Sequence, residues 1–348
     1  MKLGYGLDIW NQPRAEIPAE RIRLIEQLGF DSVWTAEIYG ADAITPLAWL
    51  AATTSELRLG TAVMQLAARP PTTAAMQVAT VDALSGGRVI CGLGVSGPQI
   101  VEGWYGRPWR SPLAELTAYV DIMRQVFRRD APVTHDGEPY PLPYAGPDAL
   151  GVGKALKPIL HPRPDVPIFL ATGGPRNVTL TAACADGWLP MGYTPDSAAV
   201  YTEALAAGTA RRDPRLGPLE IQAGATVRIT DDVGATLAAM KPATALLVGG
   251  YGTREHNFHR DAMVRRGYGD TAARIQELFM AGYRADAAAA VPDDYLDDAG
   301  LYGSPTRVRQ RFARWTDRTA ATGLTIRADQ DEALALMAQL AECRPRHA

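Results

Sequence analysis

Cysteine is scarce in this chain: its 348 residues hold three, Cys91, Cys184 and Cys343. An odd number of widely spaced thiols builds neither a disulfide framework nor a zinc cluster, so they read as small buried hydrophobes in a reducing compartment. Histidine is nearly absent from useful positions. All five, His135, His161, His256, His259 and His347, fall in loops, insertions or the tail. With no HExxH and no carboxylates at ligand spacing, no metal is expected. An excess of positive charge is missing too, since 35 Lys and Arg face 38 Asp and Glu for a net charge of −3. No basic face is then available for a phosphate backbone, which argues against nucleic acid. Apolar runs such as Ala243 to Val248 stop far short of the roughly 18 residues that cross a bilayer, and Met1-Lys2-Leu3-Gly4 reads as a strand, not a leader. These absences predict a soluble, cytoplasmic protein without nucleic-acid or membrane partners.

What is present is a rhythm. The composition, 47% hydrophobic and 21% charged with a mean hydropathy of −0.10, is that of a globular protein. Short strand-like runs alternate with amphipathic helices from the first residues, the pattern of a parallel sheet covered by helices. Strands are expected at Leu3 to Ile9, Phe30 to Ala36, Leu57 to Val63, Arg88 to Leu93, Val166 to Ala171, Trp188 to Met191, Leu219 to Thr230 and Leu324 to Arg327. The helix from Thr72 to Leu84 carries Met76, Ala79, Thr80, Ala83 and Leu84 at helical spacing, which predicts that this face is the buried one. The next helix places Leu113, Leu116, Val120, Met123 and Phe127 in a stripe. From Pro132 to Pro164 turn residues break the rhythm and suggest an inserted hairpin. After Thr230 the chain reads as several helices before the last strand. Eight such units predict one (β/α)8 TIM barrel over residues 1–348, an α/β fold with insertions after strands four and seven. An open doubly wound sheet is the alternative.

The stretch VICGLGVSGPQ contains GxGxxG at Gly92, Gly94 and Gly97, the pattern of a dinucleotide turn. That turn needs a helix to begin inside it, in the first βαβ unit. Here Pro98, Gly103, Gly106 and Pro108 follow in the fourth unit, and no helix is expected before Ser111-Pro112, which excludes a Rossmann site. A barrel enzyme works at the C-terminal ends of its strands. The residues there are Asp8 and Trp10, Glu37 and Tyr39, Met64 and Gln65, the Gly94 to Gln99 loop, Thr172 to Pro175, and Gly192 and Tyr193. Ala171-Thr-Gly-Gly-Pro175 turns from a strand into a helix whose first residue can be Pro175, a ready anion site unless it is only a tight turn. Asp8 and Glu37 are the acids at early strand ends, suited to proton handling or to a structural hydrogen bond.

Three stretches, GFDSVWTAEIYG, LRLGTAVMQLAARPPTTAAMQVATVDALSGGRVICGLGVSG and IFLATGGPRNVTLTAACADGWLP, resemble the bacterial luciferase-like flavin and deazaflavin oxidoreductases, most closely the coenzyme F420-dependent branch. The resemblance implies a luciferase-like barrel whose cofactor is coenzyme F420, with FMN as the alternative. It places the ring against Ala62 and Val63, with Thr61 beside them and Gly94 at the strand end beneath the cofactor, and the phosphate near Val95 and Ser96 and near Gly173 and Gly174, with Thr172 and Pro175 flanking that turn. Asp8 and Glu37 would complete the cofactor site, with Glu37 as the catalytic residue. It also implies a non-proline cis bond between Ala62 and Val63, and a homodimer. Some alcohol and sugar-phosphate dehydrogenases of the family carry an Asp-His pair and a Glu that this chain lacks: Ile38 stands at the histidine position, and Ser96-Gly97-Pro98 offers no acid. The resemblance therefore points to hydride transfer to or from a carbonyl, alcohol or activated alkene. An FMN-dependent two-component monooxygenase and a cofactor-binding barrel without turnover are the other readings.

Overall fold

Short apolar runs punctuated by glycine and proline become the strands. In the computed structural model, which describes residues 1–8 and 13–345, these are β1 (Lys2–Gly6), β2 (Ser32–Thr35), β3 (Arg58–Thr61), β4 (Met64–Gln65), β5 (Val89–Gly94), β6 (Ile168–Ala171), β7 (Gly187–Trp188), β8 (Glu220–Ile229), β9 (Gly300–Gly303) and β10 (Gly323–Arg327). They form one sheet in the order β10-β1-β2-β3-β5-β6-β7-β8-β9, and β10 also pairs with β8, which closes it. The register places Lys2 opposite Gly323 and Gly323 opposite Gln222, all in parallel. This is the expected (β/α)8 barrel. Every residue of β5 is buried, as a parallel strand covered on both faces requires.

Packing groups the chain into two compact units. One comprises Met1–Leu7, Pro18–Val33 and Thr172–Ala348; the other comprises Asp8–Ile17 and Trp34–Ala171. In the second unit Trp34 lies 5.8 Å from Phe169, ring centre to ring centre. A Cβ on Gly60 would run into the Trp34 indole. Gly60→Ala is therefore expected to cost about 1–3 kcal/mol of overpacking, read as a lower urea midpoint at unchanged slope.

Both insertions are present. The first, after β5 and the helix Pro112–Arg128, has one antiparallel bridge, His135 to Leu142. The second, after β8, carries several helices around a cluster that includes Leu237, Val248, Met263 and Ile275.

Four expectations change. Strand six is shorter than predicted, β7 ending at Trp188. β9 was not read at all; it pairs with Thr226–Ile229 of β8, starting at the last residue that pairs with β10 and running past it. The helix Val233–Ala245 continues through a π-helix to Gly250, giving 18 residues of mean hydropathy 1.3, long and apolar enough to cross a membrane. Lys241 and two threonines, Thr236 and Thr244, interrupt its apolar run and hid it, while Leu237, Ala245 and Val248 place part of it in the core cluster. Finally, in the helix Pro71–Leu84 the buried residues are Pro71, Ala74, Ala75, Val78, Ala79, Val81 and Asp82, so the predicted face is largely the outer one. Small alanines fit against the neighbouring elements, and the larger Met76 and Leu84 stay outside.

Candidate active site

Two residues beyond β2, the carboxylate of Glu37 is buried and fully engaged. Its Oε1 accepts the Gln65 amide (2.7 Å) and Arg69 Nη1 (3.0 Å). Its Oε2 accepts the Ala43 amide (3.1 Å) and Arg69 Nη2 (2.8 Å). A forked arginine is the strongest partner a carboxylate finds. Burial works against the charge on Arg69, yet its bond to Glu37 holds the guanidinium above its ordinary value. Gln65 donates its Nε2 to the Glu37 carbonyl (2.9 Å), while its buried Oε1 has no partner. That leaves one unclaimed acceptor beside the network.

Between β3 and β4 the chain gains a residue on β5. Leu59 lies opposite Val89, but Met64 lies opposite Leu93, one residue short of the same register. Such a shift is a bulge. The Ala62–Val63 peptide within it is cis, as the resemblance implied. The Thr61 hydroxyl is consumed by Gly92, donating to its carbonyl and accepting from its amide, both at 2.8 Å. Gly94 seats the Val63 side chain, since a Cβ there would stand 2.6 Å from Val63 Cγ2. Ser96 adopts a left-handed φ of 62°.

A short helix, Pro98–Gly103, then begins directly after Gly97, which corrects the expectation that none starts before Ser111. Pro98 occupies its first turn, where a missing N–H costs nothing. The helix sets Trp104 against Tyr39 at 6.3 Å and lets Tyr105 donate its hydroxyl to the Ile38 carbonyl at 3.2 Å. Burial, then the charge of Glu37, raises the Tyr105 phenol, which stays protonated.

After β6, the last strand of this unit, the other unit resumes at Thr172, which leads into the helix Pro175–Cys184, capped by Gly174. The Thr172 hydroxyl is 2.8 Å from that of Thr181, and its carbonyl accepts Trp188 Nε1 at 2.9 Å. Thr172 thus fastens the turn to its own helix. Trp188, Tyr193 and Tyr201 pack as three rings, 5.1 to 5.8 Å apart. Arg265, from the second insertion, donates Nε to the Tyr201 hydroxyl at 3.4 Å. Its Nη2 lies 2.9 Å from where a Cβ on Gly173 would sit. Among the described residues Arg265 has no acidic partner. The glycine turn, the amides of Arg176 and Asn177 in the first helical turn, and this cation together form a place for an anion.

The structure thus links Glu37 to Gln65 and Arg69, joins Val63 to Gly94, and sets Arg265 over Gly173. Asp8 is exposed at the end of β1, and Trp10 lies outside the described residues. Among the described residues, no three His, Cys, Asp or Glu side chains converge as metal ligands. The sequence reading missed Arg69 and Arg265. Arg69 had a readable signal, a lone basic residue following a strand end; Arg265 had none, because it comes from a distant helix.

The profile of the luciferase-like monooxygenase family matches residues 11–322. A protein of Mycobacterium tuberculosis, carried under the provisional name coenzyme F420-dependent oxidoreductase, is 48% identical over 329 residues, 94% of each chain. A 5,10-methylenetetrahydromethanopterin reductase of Methanolobus tindarius is 28% identical over 305 residues, 86% of each chain. Among solved structures, the coenzyme F420-dependent tetrahydromethanopterin reductase of Methanopyrus kandleri superposes with a TM-score of 0.76 at 20% identity, covering 99% of both chains, which establishes the shared fold.

Proposed function

The chain belongs to the luciferase-like monooxygenase family, and we propose that within it the protein is a coenzyme F420-dependent oxidoreductase. Its substrate is a small or lipid-like carbonyl, alcohol or activated alkene. The observation that carries this reading is the 48% identity, over 94% of both chains, to the mycobacterial relative of that name. When bound, the deazaflavin supplies the hydride chemistry. The chain's own residues fit such a group. The ring is assigned to the bulge at Thr61, Ala62 and Val63, where the unclaimed Gln65 Oε1 can accept a ring N–H. The phosphate is assigned to Gly173, Gly174 and the start of the following helix, where Arg265 supplies a counter-charge. The Gly94 to Ser96 loop holds the bulge in place through Val63. Glu37, with all its acceptor positions taken by N–H donors, positions Gln65 and Arg69 instead of moving a proton. The free cysteines accord with a cytoplasmic setting.

Fluorescence titration tests the reading. Coenzyme F420 is expected to bind at least about tenfold more tightly than FMN, a difference of about 1.4 kcal/mol. Tighter binding of FMN would replace the proposal with a two-component monooxygenase. F420 binding with no turnover across a panel of ketones, aldehydes and enones would replace it with a binding protein.

A further inference from the structure

We infer that a pit on the inner face of β8 and β10, between Gly224 and Thr325, takes the neutral oxygen-bearing end of the substrate, a carbonyl or its alcohol, with the Thr325 hydroxyl as hydrogen-bond donor. This rests on the oxidoreductase reading and narrows its substrate. A parallel strand covered on both faces is buried throughout, as β5 is. β8 departs from that. Gly224 is exposed although it lies in mid-strand between Ala223 and Ala225, 0% and 4% exposed. Side chains alternate along a strand, so Gly224 shares a face with Gln222, Thr226 and Arg228. That face is the inner one. Gln222 donates Nε2 to Thr325 Oγ1 at 2.9 Å, and Thr325 Cγ2 lies 3.5 Å from where a Cβ on Gly6 would sit. Tyr5, beside Gly6 and so on the opposite face of β1, shares a hydrogen bond with Arg21 of the outer helix Ala19–Gln27.

The pit is closed at one end and open at the other. Gln222, before Gly224 on this face, is buried, whereas Thr226 beyond it is half-buried and Arg228 is exposed. It therefore opens toward the C-terminal ends of the strands, where a barrel enzyme binds its substrate. Gly224 and Thr325 are paired neighbours, yet a Cβ on Gly224 would meet only the Thr325 carbonyl among the described residues, at 3.9 Å. The hydroxyl beside this space is half used. It has one hydrogen and two lone pairs; Gln222 takes a lone pair, and among the described residues nothing accepts the hydrogen. A carbonyl oxygen can accept it, and an alcohol can accept it or donate to the second lone pair, so one group serves both members of the couple. Gln222, Thr226 and Thr325 carry no charge, and Arg228 and Arg327 stand nearer the strand ends. An ionised group would enter this depth without a counter-charge, which leaves a neutral oxygen as the occupant.

Ligand-observed NMR titration with cyclohexanone and cyclohexanol tests this, on the protein alone and again with coenzyme F420 bound. Thr325→Val keeps the shape and removes the hydroxyl; it should weaken cyclohexanone binding by about 3- to 10-fold, the share of one neutral hydrogen bond. Thr325→Ser should bind it as the wild type does. Gly224→Val fills the pit and should weaken both probes at least about tenfold. None of the three should alter the affinity for F420. Thr325→Val also strands the Gln222 N–H, so Thr325→Ser and Gly224→Val keep the test open if it fails to fold. Wild-type protein that binds neither probe in either state overturns the proposal, and so does unchanged binding in Thr325→Val or Gly224→Val. A Gly224→Val protein that loses F420 but keeps cyclohexanone assigns the pit to the cofactor and also overturns it. Failure of F420 to bind the wild type would remove the cofactor reading and leave the titrations of the protein alone to decide this one.

Discussion

Arg69→Met is expected to lower the stability of the folded protein by about 3–5 kcal/mol, the cost of removing one partner from a buried ion pair. The side chains of Arg69 and Glu37 are 12% and 4% exposed, so water cannot take over the lost charge. After the substitution Glu37 keeps only the Gln65 and Ala43 amides. Glu37→Gln strands the opposite charge and should cost a similar amount. Replacing both with methionine should recover much of the loss, because no buried charge is then left alone. Urea unfolding of the three variants measures this directly, and a loss below about 1 kcal/mol for Arg69→Met would mark the pair as a solvated one. The same variants separate positioning from proton transfer. If Glu37 were an acid or base, Glu37→Gln should lower kcat by roughly 10²–10⁴ with the fold intact. A positioning Glu37 instead changes stability first and cofactor affinity with it.

The barrel was legible because each of its units is local: an apolar run, a turn and an amphipathic helix, repeated. β5 and the helix Pro112–Arg128 needed no information from elsewhere: Leu116, Val120, Met123 and Phe127 are buried as their spacing requires, and only Leu113, in the first turn of the predicted stripe, is exposed. The misreadings came where a second element decides the outcome. Spacing shows that Met76 and Leu84 share a face with Ala79 and Thr80, but not whether that face meets the same chain. β9 is four residues long, and it becomes a strand only because β8 runs on past its pairing with β10. The site divides in the same way. Glu37 was visible as an acid at a strand end, while its arginine, 32 residues on, turned a candidate acid into half of a fork. Gly94 was visible as a gap in side-chain density, but the group that fills it is Val63.

Arg265→Met is expected to weaken coenzyme F420 binding by about 10- to 150-fold, the equivalent of one charge-assisted hydrogen bond worth about 1.5–3 kcal/mol. The argument starts at Gly173. A Cβ there would lie 2.9 Å from Arg265 Nη2 and 3.8 Å from its Cζ. Nothing else stands within reach of that position, so Gly173→Ala acts on the site by pushing the guanidinium aside. Among the described residues the arginine is held at its other edge, by the Tyr201 hydroxyl at 3.4 Å, and has room to yield. Gly173→Ala should therefore leave stability nearly unchanged and still reduce cofactor affinity, by less than removing the arginine does. The double variant should bind no more weakly than Arg265→Met alone, because the alanine has nothing left to displace. Fluorescence titration of the four proteins closes the cycle. Additive losses would mean that Gly173 meets the anion through its own backbone, and equal affinity in all four would remove the turn after β6 from the cofactor site.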